Sequence, residues 1–98
     1  MTSTSAAVKV DATFVPRLAK KARLRFDRHS GKHMIVYPER GLALNESAAA
    51  IARRCDGTRT IGAIALELAT EAGAEPASVE QDVLAFVEML SQKGLLEP

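Results

Sequence analysis

Few side chains here can do covalent or metal chemistry: one cysteine, two histidines and scattered carboxylates. Cys55 has no histidine or acid at a spacing that would activate a thiolate. It falls instead on an apolar helical stripe with Ala48, Ile51 and Ala52. Free cysteine is among the most buried residue types, so Cys55 reads as structural. His29 and His33 sit at or beside one turn, and two histidines alone do not complete a tetrahedral metal site. Glu67 and Glu71 have the spacing of a solvated helix face. No glycine-rich loop opens a helix, and neither a Walker pattern nor a Gly-x-Ser-x-Gly elbow occurs. Nothing in these residues calls for an enzyme, a metal or a cofactor.

The work of such a chain must lie in its surfaces, and the elements that shape them pivot on residues 41–60. Leu42 and Leu44 alternate with Ala43, the period of a half-buried strand. At Asn45 the period changes to about 3.6. Asn45 is a natural N-cap, Glu46 suits the positive end of the helix dipole, and Arg53 and Arg54 suit the other end. Asp56-Gly57 stops this helix, and Thr60 can cap the next.

Upstream, Arg23–Asp27 reads as a strand with Leu24 and Phe26 on one face and Arg23 and Arg25 on the other. Residues 28–31 turn the chain. His33–Tyr37 is a nearly continuous apolar strand, which predicts cover on both of its faces. Pro38 ends it and leads into the third strand, Gly41–Leu44. Downstream, Ile61, Ile64, Ala65, Leu68 and Ala72 form the inner face of a helix ending at Gly73. A loop over 75–77 follows. Ser78 and Gln81 make a capping box for a last helix whose stripe is Val79, Val83, Phe86, Val87 and Leu90. Leu95 and Leu96 fold back after Gly94. The pattern predicts an α+β fold: a three-stranded antiparallel sheet followed by three helices, winged helix-turn-helix-like. Residues 1–12 read as a disordered tail or linker and 13–98 as the folded domain.

Composition agrees with a single domain of 98 residues, 47% hydrophobic but only 4% aromatic, so its core is aliphatic. A lone cysteine forms no internal disulfide, and a reducing cytoplasm is expected. No apolar run reaches the ~20 residues needed to cross a bilayer. The net charge of +1 hides an asymmetry. Residues 17–33 hold seven Lys or Arg and one acid, whereas 67–98 hold seven acids and one Lys. Mutual complementarity of the two halves together with solvated surface is the simple reading, and a dedicated anion site the alternative. A DNA-reading helix needs cations, but the last helix carries Glu80, Asp82 and Glu88, which argues against nucleic acid.

Several short stretches occur in a telling order: Pro16-Arg17-Leu18, Arg23-Leu24-Arg25-Phe26-Asp27, Pro38-Glu39-Arg40 and Leu44-Asn45-Glu46-Ser47-Ala48. Cys55-Asp56-Gly57, Thr60-Ile61, Asp82-Val83 with Phe86, and Gly94-Leu95-Leu96 continue the series. Together they resemble the PqqD family of pyrroloquinoline quinone (PQQ) biosynthesis, over about Val15 to Glu97. The resemblance implies a peptide chaperone, a recognition element for ribosomally made, modified peptides. Such a protein binds the precursor peptide PqqA and presents it to PqqE, a radical S-adenosylmethionine enzyme that crosslinks a Glu and a Tyr of the precursor. Some family members are fused to a neighbouring pathway enzyme. By this resemblance the peptide runs along the third strand, at Gly41, Leu42, Ala43 and Leu44, and packs against the third helix. Val83, Val87 and Leu90 are the candidates for that second wall, although each also fits a core position. Arg23 and Arg25 are candidates to meet an acidic partner surface. A winged-helix DNA-binding regulator and a structural subunit of an enzyme complex stand as the other classes.

Overall fold

The computed structural model describes residues 10–97. Their order is β1 (Arg23–Asp27), β2 (Lys32–Tyr37), β3 (Arg40–Leu44), α1 (Glu46–Arg53), α2 (Ile61–Ala72) and α3 (Pro76–Gln92). Strands precede helices, as the change of period predicts. Of the tail expected over residues 1–12, positions 1–9 lie outside the described residues.

The sheet is an antiparallel meander in the order β1-β2-β3. Its register sets Leu24 beside Ile35 and Ile35 beside Leu42, a row of aliphatic side chains facing the helices. Ile35, in the middle, is fully buried. The opposite face carries Arg23, Val36 and Gly41 in one row, and Arg25, Met34 and Ala43 in the next. That face is open: Val36 is 37% exposed. The expected cover on both faces of β2 is therefore corrected, because the helices pack on the Ile35 side.

Pro38 and Glu39 join β2 to β3. Proline at the first turn position and φ of 64° at Glu39 belong to a type II turn. In an antiparallel ladder every second pair exchanges hydrogen bonds. Were Tyr37–Arg40 not such a pair, the ladder would need an N–H from Pro38, which has none. Tyr37–Arg40, Ile35–Leu42 and His33–Leu44 are thus the bonded pairs. Gly41 and Ala43 consequently turn their N–H and C=O away from β2.

Asn45 Oδ1 accepts from the Ala48 N–H at 2.7 Å and caps α1; Thr60 Oγ1 accepts from Ala63 at 3.0 Å and caps α2. The inner face of α1 is Ala49, Ile51 and Ala52, with Ala48 only half-buried. Cys55 lies just past the helix, in its closing turn, and is still buried. In α2 it is Ala69, not Ala72, that is buried. α3 begins at Pro76, two residues before the expected box at Ser78. Proline suits a first helical position, where its missing N–H would have no partner anyway.

Residues 12–19 run as a strap between the two ends of the body. The carbonyls of Ala12 and Phe14 accept from Gly62 and Ile61, each at 2.9 Å, satisfying first-turn donors of α2. The Pro16 carbonyl accepts from Gly57 at 3.0 Å, and the Leu18 N–H donates to Cys55 O at 3.0 Å. On the other side the Ala19 N–H donates to Leu95 O at 2.8 Å, and Glu97 donates to Arg17 O at 2.7 Å. One apolar cluster, with Ile35, Leu44, Ala49 and Leu90, lies under the sheet. The other, with Ile61, Ile64, Val83 and Val87, lies between the helices. Leu18, Phe86 and Leu96 pack against both.

Arg54 bonds Glu67 at 3.0 Å and Glu71 at 2.7 Å, and Arg59 bonds Glu67 at 2.9 Å and Asp56 at 3.3 Å. Among the described residues no salt bridge joins the strand cations to the acidic helices. The expected complementarity is corrected, since the α2 acids take arginines from the α1–α2 corner. Arg23, Arg25 and Lys32 are left facing solvent.

Candidate functional site

Among the described residues the outward N–H and C=O groups of Gly41 and Ala43 have no strand partner and give β3 a free edge, which another extended chain can use. Both residues are exposed, and their side of the strand belongs to the open face. Leu42 and Leu44 point inward, half-buried and buried respectively. Ala48, Phe86 and Met89 pack, half-buried, against the same cluster as Leu42. Leu42, Ala48, Phe86 and Met89 are thus half-buried members of one apolar seam on the sheet side of the core.

Val83, Val87 and Leu90 do not belong to that seam. Each is 0% exposed, so the assignment of these side chains as a peptide-facing wall is corrected: they are core. At spacings of four and three they form the innermost stripe of α3. Phe86 and Met89 stand on the flank of that stripe, three residues apart, and sequence periodicity did not separate stripe from flank. How far a helix flank is covered depends on what packs over it from distant parts of the chain, which no local spacing encodes.

On the open face Met34 leans across β3. A Cβ placed on Gly41 would come within 2.8 Å of Met34 Cε, so the thioether methyl occupies the space that glycine leaves. Arg25 lines a hollow of about 300 Å³ there with Phe26, Met34 and Val36. Ala43 and Leu44 line another, of about 640 Å³, with Phe26, Lys32 and His33. A third cleft, about 340 Å³, lies among the helices over Ala50, Ile51, Leu68 and Val79, rimmed by Glu46, Glu71 and Asp82. None of the residues taken from the sequence as peptide- or partner-binding candidates lines it.

The groups considered for chemistry are occupied structurally. Cys55 Sγ donates to Ile51 O at 3.3 Å. Burial, and then the charge of Asp56, push its thiol up to about 12, so no thiolate is present near neutral pH. The His33 ring tilts against Phe26 with centroids 5.0 Å apart. Asp27 accepts from Ser30 Oγ at 2.8 Å and the His29 N–H at 3.1 Å, bonds that fix the β1–β2 turn and hold its carboxyl below the usual range. No helix of the described residues is long and apolar enough to cross a membrane.

Comparison with known proteins adds to this geometry. The chain is 42% identical to the PqqA binding protein of Xanthomonas oryzae pv. oryzae (strain PXO99A) over 81 residues, 83% of this chain and 88% of that protein. It is 41% identical to the bifunctional coenzyme PQQ synthesis protein C/D of Methylorubrum extorquens over 83 residues. That match takes in 85% of this chain and only 22% of the bifunctional protein. Among solved structures, the PqqD truncation of Methylobacterium extorquens PqqCD, a stand-alone recognition element for modified peptides, superposes with a TM-score of 0.81 at 38% identity. The match covers 92% of this chain and 96% of that one. Lasso peptide synthetase B1, solved with a leader peptide, shares the fold at a TM-score of 0.73 and 23% identity, over 87% of this chain and all of that one. The family described as Coenzyme PQQ synthesis protein D matches residues 32–96, and the chain belongs to this PqqD family.

Proposed function

We propose that this protein is a non-catalytic peptide carrier of PQQ synthesis. It binds the precursor peptide PqqA as a fourth strand on the free edge of β3 and presents it to the radical S-adenosylmethionine enzyme PqqE. The observation that carries this reading is the pair of outward-facing backbone units at Gly41 and Ala43, set beside the Leu42–Phe86–Met89 seam. Main-chain pairing supplies affinity, and the seam receives every second peptide side chain. The relatives named as PqqA binding proteins support the identity of the peptide. Arg23 and Arg25, exposed beside Val36 and Met34 and without an ion-pair partner among the described residues, suit an acidic surface of the enzyme. The work takes place in the cytoplasm, where a single reduced thiol persists.

Amide chemical-shift mapping during a titration with PqqA tests the site. Shifts should concentrate on residues 41–44 and on the Phe86–Met89 flank. Shifts confined to the turn at 28–31 or to α2 would remove the peptide from β3.

A further inference from the structure

A strand added to β3 presents its side chains to two unlike surfaces. Residues standing beside Leu42 point inward, toward the seam. Residues standing beside Gly41 and Ala43 share their side of the sheet and point to the open face. On that face β3 offers almost nothing of its own, only a hydrogen and a methyl.

Met34 supplies what β3 lacks. It stands directly opposite Ala43, yet its methyl lies over Gly41, at the site of the missing Cβ. An added strand lies about 4.8 Å beyond β3, and apolar contact needs about 4–4.5 Å between heavy atoms. The methyl above Gly41 therefore reaches the side chain of a peptide residue standing beside Gly41. Val36 stands next to Met34 on the same strand face, and Arg25 lies across from it on β1, on the side away from β3. A thioether is flexible and polarisable and adapts to an incoming shape.

We infer that Met34, held over Gly41, is the specificity-determining residue of the open face: it selects an apolar side chain at the peptide position beside Gly41. This rests on the reading of β3 as the peptide edge. Gly41 acts as its partner, because any Cβ there displaces the Met34 methyl.

The test is a double-mutant cycle read by calorimetric titration with PqqA, with melting curves to show that each variant is folded. Met34→Ala should weaken binding about tenfold, the usual scale for one lost apolar contact. Gly41→Ala should weaken it by a similar factor in the wild type and have little further effect in Met34→Ala. Met34→Leu should bind within about threefold of the wild type, since it conserves volume and polarity. A serine scan of the peptide should find one position whose apolar side chain matters to the wild type and not to Met34→Ala. Ala43→Pro removes the outward N–H at the edge and serves as the control for the underlying reading. If Ala43→Pro loses binding while Met34→Ala keeps it, or if the two single effects add, the role of Met34 is overturned and the edge reading stands. If folded Ala43→Pro binds as tightly as the wild type, the edge reading falls and the inference with it.

Discussion

Glu67 accepts from two arginines at once, Arg54 on one oxygen and Arg59 on the other. The Arg54 bond, then the Arg59 bond and both charges, hold its carboxyl below the usual range against the opposing effect of burial. Asp56, bonded by Thr58 and near Arg59, is lowered as well. A carboxyl lowered by folding contributes stability above its unfolded value, and that contribution is lost as pH falls through the folded one. Melting temperature should therefore drop as pH falls through and below the ordinary carboxylate range, and Glu67→Gln should flatten the drop. An equally steep loss in Glu67→Gln would place the dependence on other acids. Cys55 acts at the other end of the scale: its contribution is present below the ordinary thiol range and fades as pH climbs toward about 12. The burial of Cys55 was legible from its spacing to Ile51 and Ala52. The partners of Glu67 were not, because they come from the α1–α2 corner and no helical period links them.

At the scale of elements, a strained turn sets which residues of β3 face its free edge. Glu39 holds a positive φ at the position where type II turns favour glycine, a conformation that costs an L-residue about 1–2 kcal/mol. Part of that is recovered against the greater freedom glycine has in the unfolded chain. Glu39→Gly should therefore stabilise the protein by about 0.5–1 kcal/mol, read as a rise in the urea midpoint with unchanged slope. A fall in the midpoint would mean that the Glu39 side chain contributes more than the turn costs. The strands, the caps at Asn45 and Thr60 and the order of elements were all legible, since each rests on local chemistry. The start of α3 was not. Proline breaks a helix from inside and opens one from its first position, and Pro76 sits where both readings fit. The half-buried flank of α3 was missed for a related reason: Phe86 and Val83 are both apolar residues of one helix and differ only in how far the rest of the body covers them.

Across the whole molecule, the strap over 12–19 holds both ends of the body together, although the family match begins only at residue 32. Ala22 and Leu24, outside that match, still pack in the sheet-side cluster. Leu95 is fully buried and its carbonyl accepts from Ala19, so Leu95→Ala should cost about 2–5 kcal/mol in urea unfolding. A cost below about 1 kcal/mol, the scale of a surface substitution, would show that the strap closes without it. The same closure orders events at the ribosome. The strap is made before the sheet and the helices, whereas Leu95 and Glu97, which it needs, are made after all three helices. The hairpin of β2 and β3 has its partners close by in sequence, whereas the contacts of Leu18 with Leu96 wait until the sheet and all three helices between them are made. Contacts so far apart in sequence form late and slowly. The edge that would take a peptide is thus complete, and open to any extended strand nearby, before the body that steadies it has closed.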